Sequence, residues 1–322
     1  MVKMSSTRNL LIPIFISVAL IIGAEISLRL ILGLGNPPLF ESDPEIGYLM
    51  VANQDVYRRG GRIKINAFHQ RSNDLPLHPA DGVTRILFLG DSITFGVTGV
   101  DQTQIFSELV GSTLRRSGQN VEVMNASAVS WGIGNEFAYV RRFGTFGSKI
   151  SVLQIGSADL LQPTSTGDGV GVNAGQPSQK PFSAIGELFE RVLIPRLMIF
   201  MGLEDQGNEP APSDRDWQFQ QNMQHFANLI ATIRRQNSLP LVVIMPTLFE
   251  MTSEIDPELQ LYAPYRSRFQ RYLQQLAVPF IDVWEPWLRD PNVDSYYTDG
   301  THLTAAGNRA LSKEIVAAIN RL

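Results

Sequence analysis

The sequence predicts an α/β fold built on a five-stranded parallel sheet with helices on both faces, preceded by one N-terminal transmembrane helix. Three observations predict it. From residue 84 onward, short apolar runs alternate with segments of helical period, the pattern of a parallel sheet covered on both sides. Leu10 to Ala24 is a stretch of fifteen residues without a charge. The first apolar run, Ile86–Leu89, opens at once into Gly90-Asp91-Ser92, and open α/β sheets carry their sites at that end of a strand.

Composition narrows the function. A chain of 322 residues with a hydrophobic fraction of 44% can bury a full core. Its net charge of -4 gives no basic footprint for nucleic acid. With no cysteine there is neither a disulfide nor a thiolate metal site, and the four histidines (His69, His78, His225, His302) show no ligand spacing. Neither a metal nor a cofactor is expected.

The apolar character that starts at Leu10 continues to Leu34, long enough to span a bilayer. Glu25 and Arg29 lie near its far end, four apart, where they can pair on one helix face or Arg29 can snorkel to the headgroups. Lys3 and Arg8 precede the run; after Arg29 no Lys or Arg follows until Arg58, whereas Glu41, Asp43 and Glu45 do. The positive-inside rule then puts the N-terminus in the cytoplasm and the rest outside, in the periplasm if the cell is Gram-negative. A cleaved signal peptide is the competing reading. Against it stand the length of the run and the lack of a small-x-small cleavage site. The chain divides into an anchor (1–35), a turn-rich spacer that packs partly on the main domain (36–83) and a main domain (84–322). In the spacer only Arg62–Asn66 alternates as an edge strand does.

In the main domain, strand one is Ile86–Leu89. A helix follows over Gln104–Arg116, with Gly118 as its stop. Val121–Met124 is strand two, Glu136–Phe146 a helix and Ile150–Ile155 strand three. Pro163–Pro181 is a loop rich in Gly, Ser, Thr and Pro, of a length that tends to be functional or mobile. Ala184–Phe200 reads as helix interrupted by Pro195, Gly207–Ser213 as a linker, and Asp214 as the cap of a helix through Arg235. Leu241–Met245 is strand four, Pro257–Leu276 helix and Val278–Asp282 strand five. Thr304 caps the last helix, whose Leu311, Ile315, Ala318, Ile319 and Leu322 share a face.

Two short motifs carry the chemistry. Gly90-Asp91-Ser92-Ile93-Thr94 ends strand one, and Asp299-Gly300-Thr301-His302 lies close to the C-terminus. Together they supply a serine, an aspartate and a histidine, the parts of a nucleophilic triad. Each alone is also an ordinary capped turn, and the first does not fit G-x-S-x-G, since Thr94 stands at the second glycine.

Taken together and in order, the motifs resemble those of the SGNH/GDSL hydrolase family over residues 84–322. Gly90-Asp91-Ser92 is similar to its first block and Asp299-x-x-His302 to its last. Val123-Met124-Asn125-Ala126-Ser127, continuing to Gly132, resembles the second block, and Gly156-Ser157-Ala158-Asp159 the third. The resemblance implies a three-layer, flavodoxin-like domain. It implies a Ser92 nucleophile with His302 as base and Asp299 as its orienting partner. Backbone N–H groups of Ser92 and of Ser130 or Gly132 would form the oxyanion hole. Asp91, Trp131 and Asp159 are the substrate-binding candidates; Tyr296 and Tyr297 also flank the expected site, to stack on a sugar ring or simply to pack. The sequence departs from the family at Ala158, where an asparagine is usual. Losing one oxyanion donor costs roughly 10²–10³ in rate, unless a neighbour such as Ser157 or Asn135 takes over.

The function expected is an extracytoplasmic serine esterase or acyltransferase. Its substrate would be an acylated glycan or other ester, with acetyl groups on an envelope or exported polysaccharide favoured by location. The alternative is a catalytically weakened domain that binds glycan or an envelope assembly partner.

Overall fold

The computed structural model describes residues 6–201, 211, 213–252 and 261–322. Helix α1 (Ser6–Leu32) contains an apolar stretch, Ile12–Leu32, long enough to cross a membrane and unburied by the rest of the chain. Two antiparallel hairpins follow. One joins β1 (Phe40–Asp43) to β2 (Gly47–Met50), and the other β3 (Gln54–Arg58) to β4 (Gly61–Ile65).

The α/β portion begins with β5 (Thr84–Gly90), the one-turn helix α2 (Ser92–Phe95), α3 (Phe106–Arg116), β6 (Val121–Ser127), α4 (Ile133–Phe143) and β7 (Ile150–Gly156). It continues through α5 (Ala184–Leu188), a π-helical stretch over Phe189–Leu193, α6 (Ile194–Phe200), α7 (Arg215–Arg235) and β8 (Leu239–Met245). It closes with α8 (Leu248–Thr252), α9 (Ala263–Gln275), β9 (Phe280–Asp282), α10 (Trp284–Leu288) and α11 (Ala305–Ile319). The five strands pair in parallel in the order β6-β5-β7-β8-β9. This is the flavodoxin-like order, in which the chain reverses direction of growth beside its first strand.

The strands read as continuous apolar runs because both faces of the sheet are covered. Arg85 to Gly90 of β5 are all buried. Leu87 and Leu89 join Met124, Leu153 and Val242 on one face, under Tyr139 of α4, Phe226 of α7 and Phe269 of α9. Ile86 and Phe88 join Val123, Val152 and Val243 on the other, under Phe106 and Val110 of α3 and Leu311 and Ile315 of α11. Helices on either side of the sheet make the three layers.

Several expectations shift. The helix expected over 136–146 runs three residues earlier. It starts behind Gly132 and stops where Gly144 and Phe146 turn to positive φ (76° and 54°). Asp214 precedes α7, but its side chain makes no capping bond; the Thr304 hydroxyl does accept from the Gly307 N–H (3.2 Å). Pro195 does not interrupt the helical run over 184–200. The linker at 207–213 lies largely outside the described residues, as does the start of the helix expected from Pro257.

Residues 36–83 pack on the main domain, and they do so deeply. Ile46, Tyr48, Ile63 and Ile65 are at most 1% exposed and belong to the main core. Residues of this segment also hold the loops of the α/β portion. The buried Arg71 guanidinium donates to the carbonyls of Phe95 (2.8 Å), Gly96 (2.7 Å) and Val100 (2.6 Å), so it clamps the chain that follows α2.

Candidate active site

The C-terminal ends of β5, β6 and β7 lie side by side, because Gly90 pairs with Ser127 and Leu89 with Leu153. The turns after these strands therefore converge. The first is tight: a Cβ on Gly90 would sit 2.2 Å from the Thr94 hydroxyl, so only glycine lets β5 pass straight into α2. Asp91 caps that helix, its Oδ1 accepting from the Ile93 N–H (2.8 Å), and Ser92 is the first helical residue. A first-turn N–H has no intrahelical acceptor, and among the described residues the Ser92 N–H has no other.

The opposite wall is the turn before α11. Gly300 adopts φ 84°, and a Cβ there would meet the Phe249 ring at 2.1 Å. This turn folds Asp299 back onto His302. Asp299 Oδ1 accepts from the N–H groups of Thr301 (3.1 Å) and His302 (2.8 Å), while its Oδ2 lies 2.8 Å from His302 Nδ1. Burial alone would raise the Asp299 carboxyl; the His302 backbone and ring, with the Thr301 N–H, outweigh it and hold it below the usual carboxylate range. An ionised carboxylate only accepts, so Nδ1 carries the hydrogen and Nε2 presents its lone pair. That nitrogen is 2.9 Å from Ser92 Oγ. The three residues thus form one hydrogen-bonded chain, Ser92 to His302 to Asp299, drawn from opposite ends of the α/β portion.

Ser130, in the turn after β6, is exposed, with φ 63°. Its carbonyl is held by Gln162 Nε2 (2.7 Å) and Ser165 Oγ (2.5 Å), and its N–H has no protein acceptor among the described residues. Gly132 differs from expectation: its N–H already donates to Asn135 Oδ1 (2.9 Å), so it has no hydrogen to offer an oxyanion. Asn135 is equally committed. Its Nδ2 donates to the carbonyls of Ile46 (2.6 Å) and Ser165 (2.7 Å), and it cannot stand in for a missing donor. Ala158 is exposed at the mouth of the turn after β7. The neighbouring Ser157 hydroxyl is buried without a partner among the described residues.

Two expected substrate contacts are interior instead. Trp131 is 1% exposed, and its indole N–H donates to the Tyr48 carbonyl (3.0 Å); the β1–β2 hairpin covers it. Asp159 is 2% exposed and accepts from the Gly156 N–H (2.7 Å). Tyr297 is also buried, bonding the Pro246 carbonyl (2.7 Å). Tyr296 packs on Trp287 and bonds Asp290.

Beneath the serine turn lie three carboxyls. Burial raises Asp91 to about 6, against the opposing pull of the Ile93 N–H and His302. Burial, with the charge of Asp91 added, pushes Asp159 well above its usual range. Glu136 is pushed up in the same way, with Asp159 and Asp91 adding to the effect of burial. Gln154 joins these groups: with its amide nitrogen turned toward the oxygens, it donates to Thr94 Oγ1 and Asp91 Oδ1 (both 2.9 Å). No sequence motif points to Gln154 or Arg71 in these roles. Both act through contacts between segments far apart in the chain.

No curated protein sequence matches the chain. Among solved structures, the acetyl xylan esterase AlAXEase is 15% identical (TM-score 0.45) and the match covers 73% of this chain and 99% of that one. A lipase/acylhydrolase from Enterococcus faecalis is also 15% identical (TM-score 0.47; 73% and 95% covered). A catalytic mutant of the acetylxylan esterase Axe2 from Geobacillus stearothermophilus is 13% identical (TM-score 0.46; 73% and 94% covered). The profile of GDSL-like lipases and acylhydrolases matches residues 88–310, a span that takes in the serine turn at one end and the Asp299–His302 turn at the other. The chain therefore belongs to the GDSL-like lipase/acylhydrolase family and is a serine ester hydrolase.

Proposed function

We propose that Ser92, His302 and Asp299 are the catalytic residues of an extracytoplasmic, membrane-anchored esterase or acyltransferase acting on acyl esters of an envelope polysaccharide. The observation that carries the proposal is the unbroken hydrogen-bond chain from Ser92 Oγ through His302 to Asp299. Ser92 Oγ attacks the ester carbonyl carbon while His302 Nε2 takes its proton. The N–H groups of Ser92 and Ser130 receive the oxyanion. Collapse of the tetrahedral intermediate breaks the C–O bond, and His302 returns the proton to the departing alcohol. Water, or a sugar hydroxyl in a transferase, then attacks the acyl-serine with His302 again as base.

The polysaccharide substrate follows from location. A domain tethered outside the cytoplasm meets envelope glycans first, and acetyl is a common acyl group on them. The topology rests on Lys3 and Arg8 before the apolar run and the lack of basic residues between Arg29 and Arg58.

A second reading, a weakened enzyme that binds glycan or an assembly partner, is favoured by one observation. Ala158 brings no side-chain donor, and Asn135 is already engaged. Introducing Ala158→Asn separates the two: a rate gain approaching 10²-fold marks an incomplete hole, no gain a complete one. The full chain in detergent, assayed with p-nitrophenyl acetate and a fluorophosphonate label, tests the main proposal. Hydrolysis and labelling that vanish in Ser92→Ala and collapse in His302→Ala support it. Labelling without turnover identifies a transferase awaiting its acceptor. Neither signal from a folded protein sinks the catalytic assignment and leaves the binding reading.

A further inference from the structure

The segment from Phe182 to Met201 has no place in the chemistry, yet it presents an unusual surface. Phe189, Leu193, Ile194, Leu197, Met198 and Phe200 are between 42% and 86% exposed. They recur from turn to turn through the π-helical stretch and α6 as a broad exposed apolar surface, interrupted by the exposed Glu190 and Arg196. An apolar surface this broad is stable against a core or in lipid, where long charged side chains such as Arg196 can still reach water, and not in water itself.

Its position relative to α1 decides between these. Glu25 of α1 accepts from the first two N–H groups of α5, those of Ala184 (2.8 Å) and Ile185 (3.0 Å). Arg29 pairs with Glu25 (2.7 Å) and donates to the Phe182 carbonyl (3.1 Å). Glu25 lies seven residues before the end of α1 at Leu32, about 10 Å along its axis. An α5 that begins beside Glu25 begins below the outer end of the apolar span. The two charges in that span are thereby explained: they satisfy each other and the free backbone groups of a second element at the same depth. The exit from α1 is rigid as well. Arg58 bonds the Gly33 carbonyl (2.7 Å) and Glu187 of α5 (2.6 Å), and Glu187 also takes the Gly35 N–H.

We infer that Phe182–Met201 is a second membrane element, lying in the outer boundary of the bilayer that α1 crosses, with lipid acyl chains covering its exposed apolar surface. With α1 it holds the catalytic portion in one pose on the membrane instead of on a flexible stalk. The loop that enters this element carries Gln162 and Ser165, which hold the Ser130 carbonyl, so the site is tied to the membrane surface through one loop.

The inference rests on α1 spanning a membrane, and the test separates the two. The chain has no cysteine, so single-cysteine variants of the full protein take an environment-sensitive fluorophore at one position. Val18→Cys reports α1, Leu197→Cys and Phe200→Cys the second element, and Lys313→Cys the exposed face of α11. All four sites are exposed, and such substitutions leave stability nearly unchanged. In phosphatidylcholine vesicles with doxyl-labelled acyl chains, emission at 18, 197 and 200 should fall at least twofold while 313 is unaffected. Quenching at 18 alone overturns the inference and leaves the anchor standing. A blue-shifted but unquenched signal at 197 and 200 means that protein, such as a second copy, covers the segment, and also overturns it. Quenching at none of the four removes the anchor and the inference together.

Discussion

The Ser92 hydroxyl meets an imidazole whose other nitrogen is already committed, and that commitment sets what each side chain can do. Asp299→Asn would let the amide N–H face Nδ1 and so favour the wrong tautomer. It should lower kcat by roughly 10³–10⁴ while leaving KM nearly unchanged, read by steady-state kinetics. Ser130 holds a positive φ without being glycine, at a cost of about 1 kcal/mol. Ser130→Gly should keep the N–H and the activity and raise stability by up to about 1 kcal/mol, measurable by denaturant unfolding; a large loss of rate would mean the hydroxyl itself is used. Asp91 titrates higher when folded, about 6, than its usual 3.8. A raised carboxyl stabilises the fold below the unfolded pKa and loses that contribution as pH rises through the folded one. Asp91 should therefore contribute up to about 3 kcal/mol less stability at pH 6 than at pH 4, at about 1.4 kcal/mol per unit. Asp91→Asn, which can still cap α2, lacks this contribution, so its melting temperature relative to wild type should be higher at pH 7 than at pH 4.

Two turns and one hairpin set the geometry of these residues. The Asp299–His302 turn works because Gly300 accepts a left-handed conformation against the Phe249 ring. Gly300→Ala should combine backbone strain of about 1 kcal/mol with a clash that displaces α8 or the turn. A rate loss of tenfold or more with only a modest drop in melting temperature is expected; unchanged kinetics would show that the turn relaxes without moving His302. The serine turn is supported from below by the buried carboxyls and from the side by Arg71. The triad candidates are legible from sequence because each sits in a short motif at an element boundary, where local chemistry already demands Gly, Asp or Ser. Trp131 is not. Its exposure depends on the β1–β2 hairpin, and the Asn-Pro-Pro and Asp-Pro turns of that stretch carry no local signal of a hairpin in the core. Gly132 misleads for a related reason: nothing in the order of residues says that Asn135 will take its N–H.

Over the whole molecule, the N-terminal helix, the hairpins and α5 are joined by one buried ion pair. Arg58 is 7% exposed and Glu187 1%. Removing one partner strands the other in a dry site, at about 3–5 kcal/mol. Glu187→Ala in the full detergent-solubilised chain should lower the melting temperature by several degrees. The Ser92 site lies elsewhere, so the kcat of the folded protein should be preserved. A kcat that falls with the melting temperature held would instead mean that the N-terminal helix and α5 feed directly into the site.

Periodicity and local motif chemistry determined much of this protein from sequence alone. Both act over a few residues: they yield the parallel strands, the helices, the apolar N-terminal run and the short turns that carry Ser92, Asp299 and His302. Tertiary structure decided what depends on groups brought together from afar. It brings Ser92 and His302 within 2.9 Å across 210 positions. It engages the Gly132 N–H and buries Trp131, and it makes the 36–83 segment part of the core. It also seats α5 beside Glu25. Which hydrogen-bond donors remain free and which side chains stay exposed are set by neighbours distant in the chain, and no local pattern encodes those neighbours.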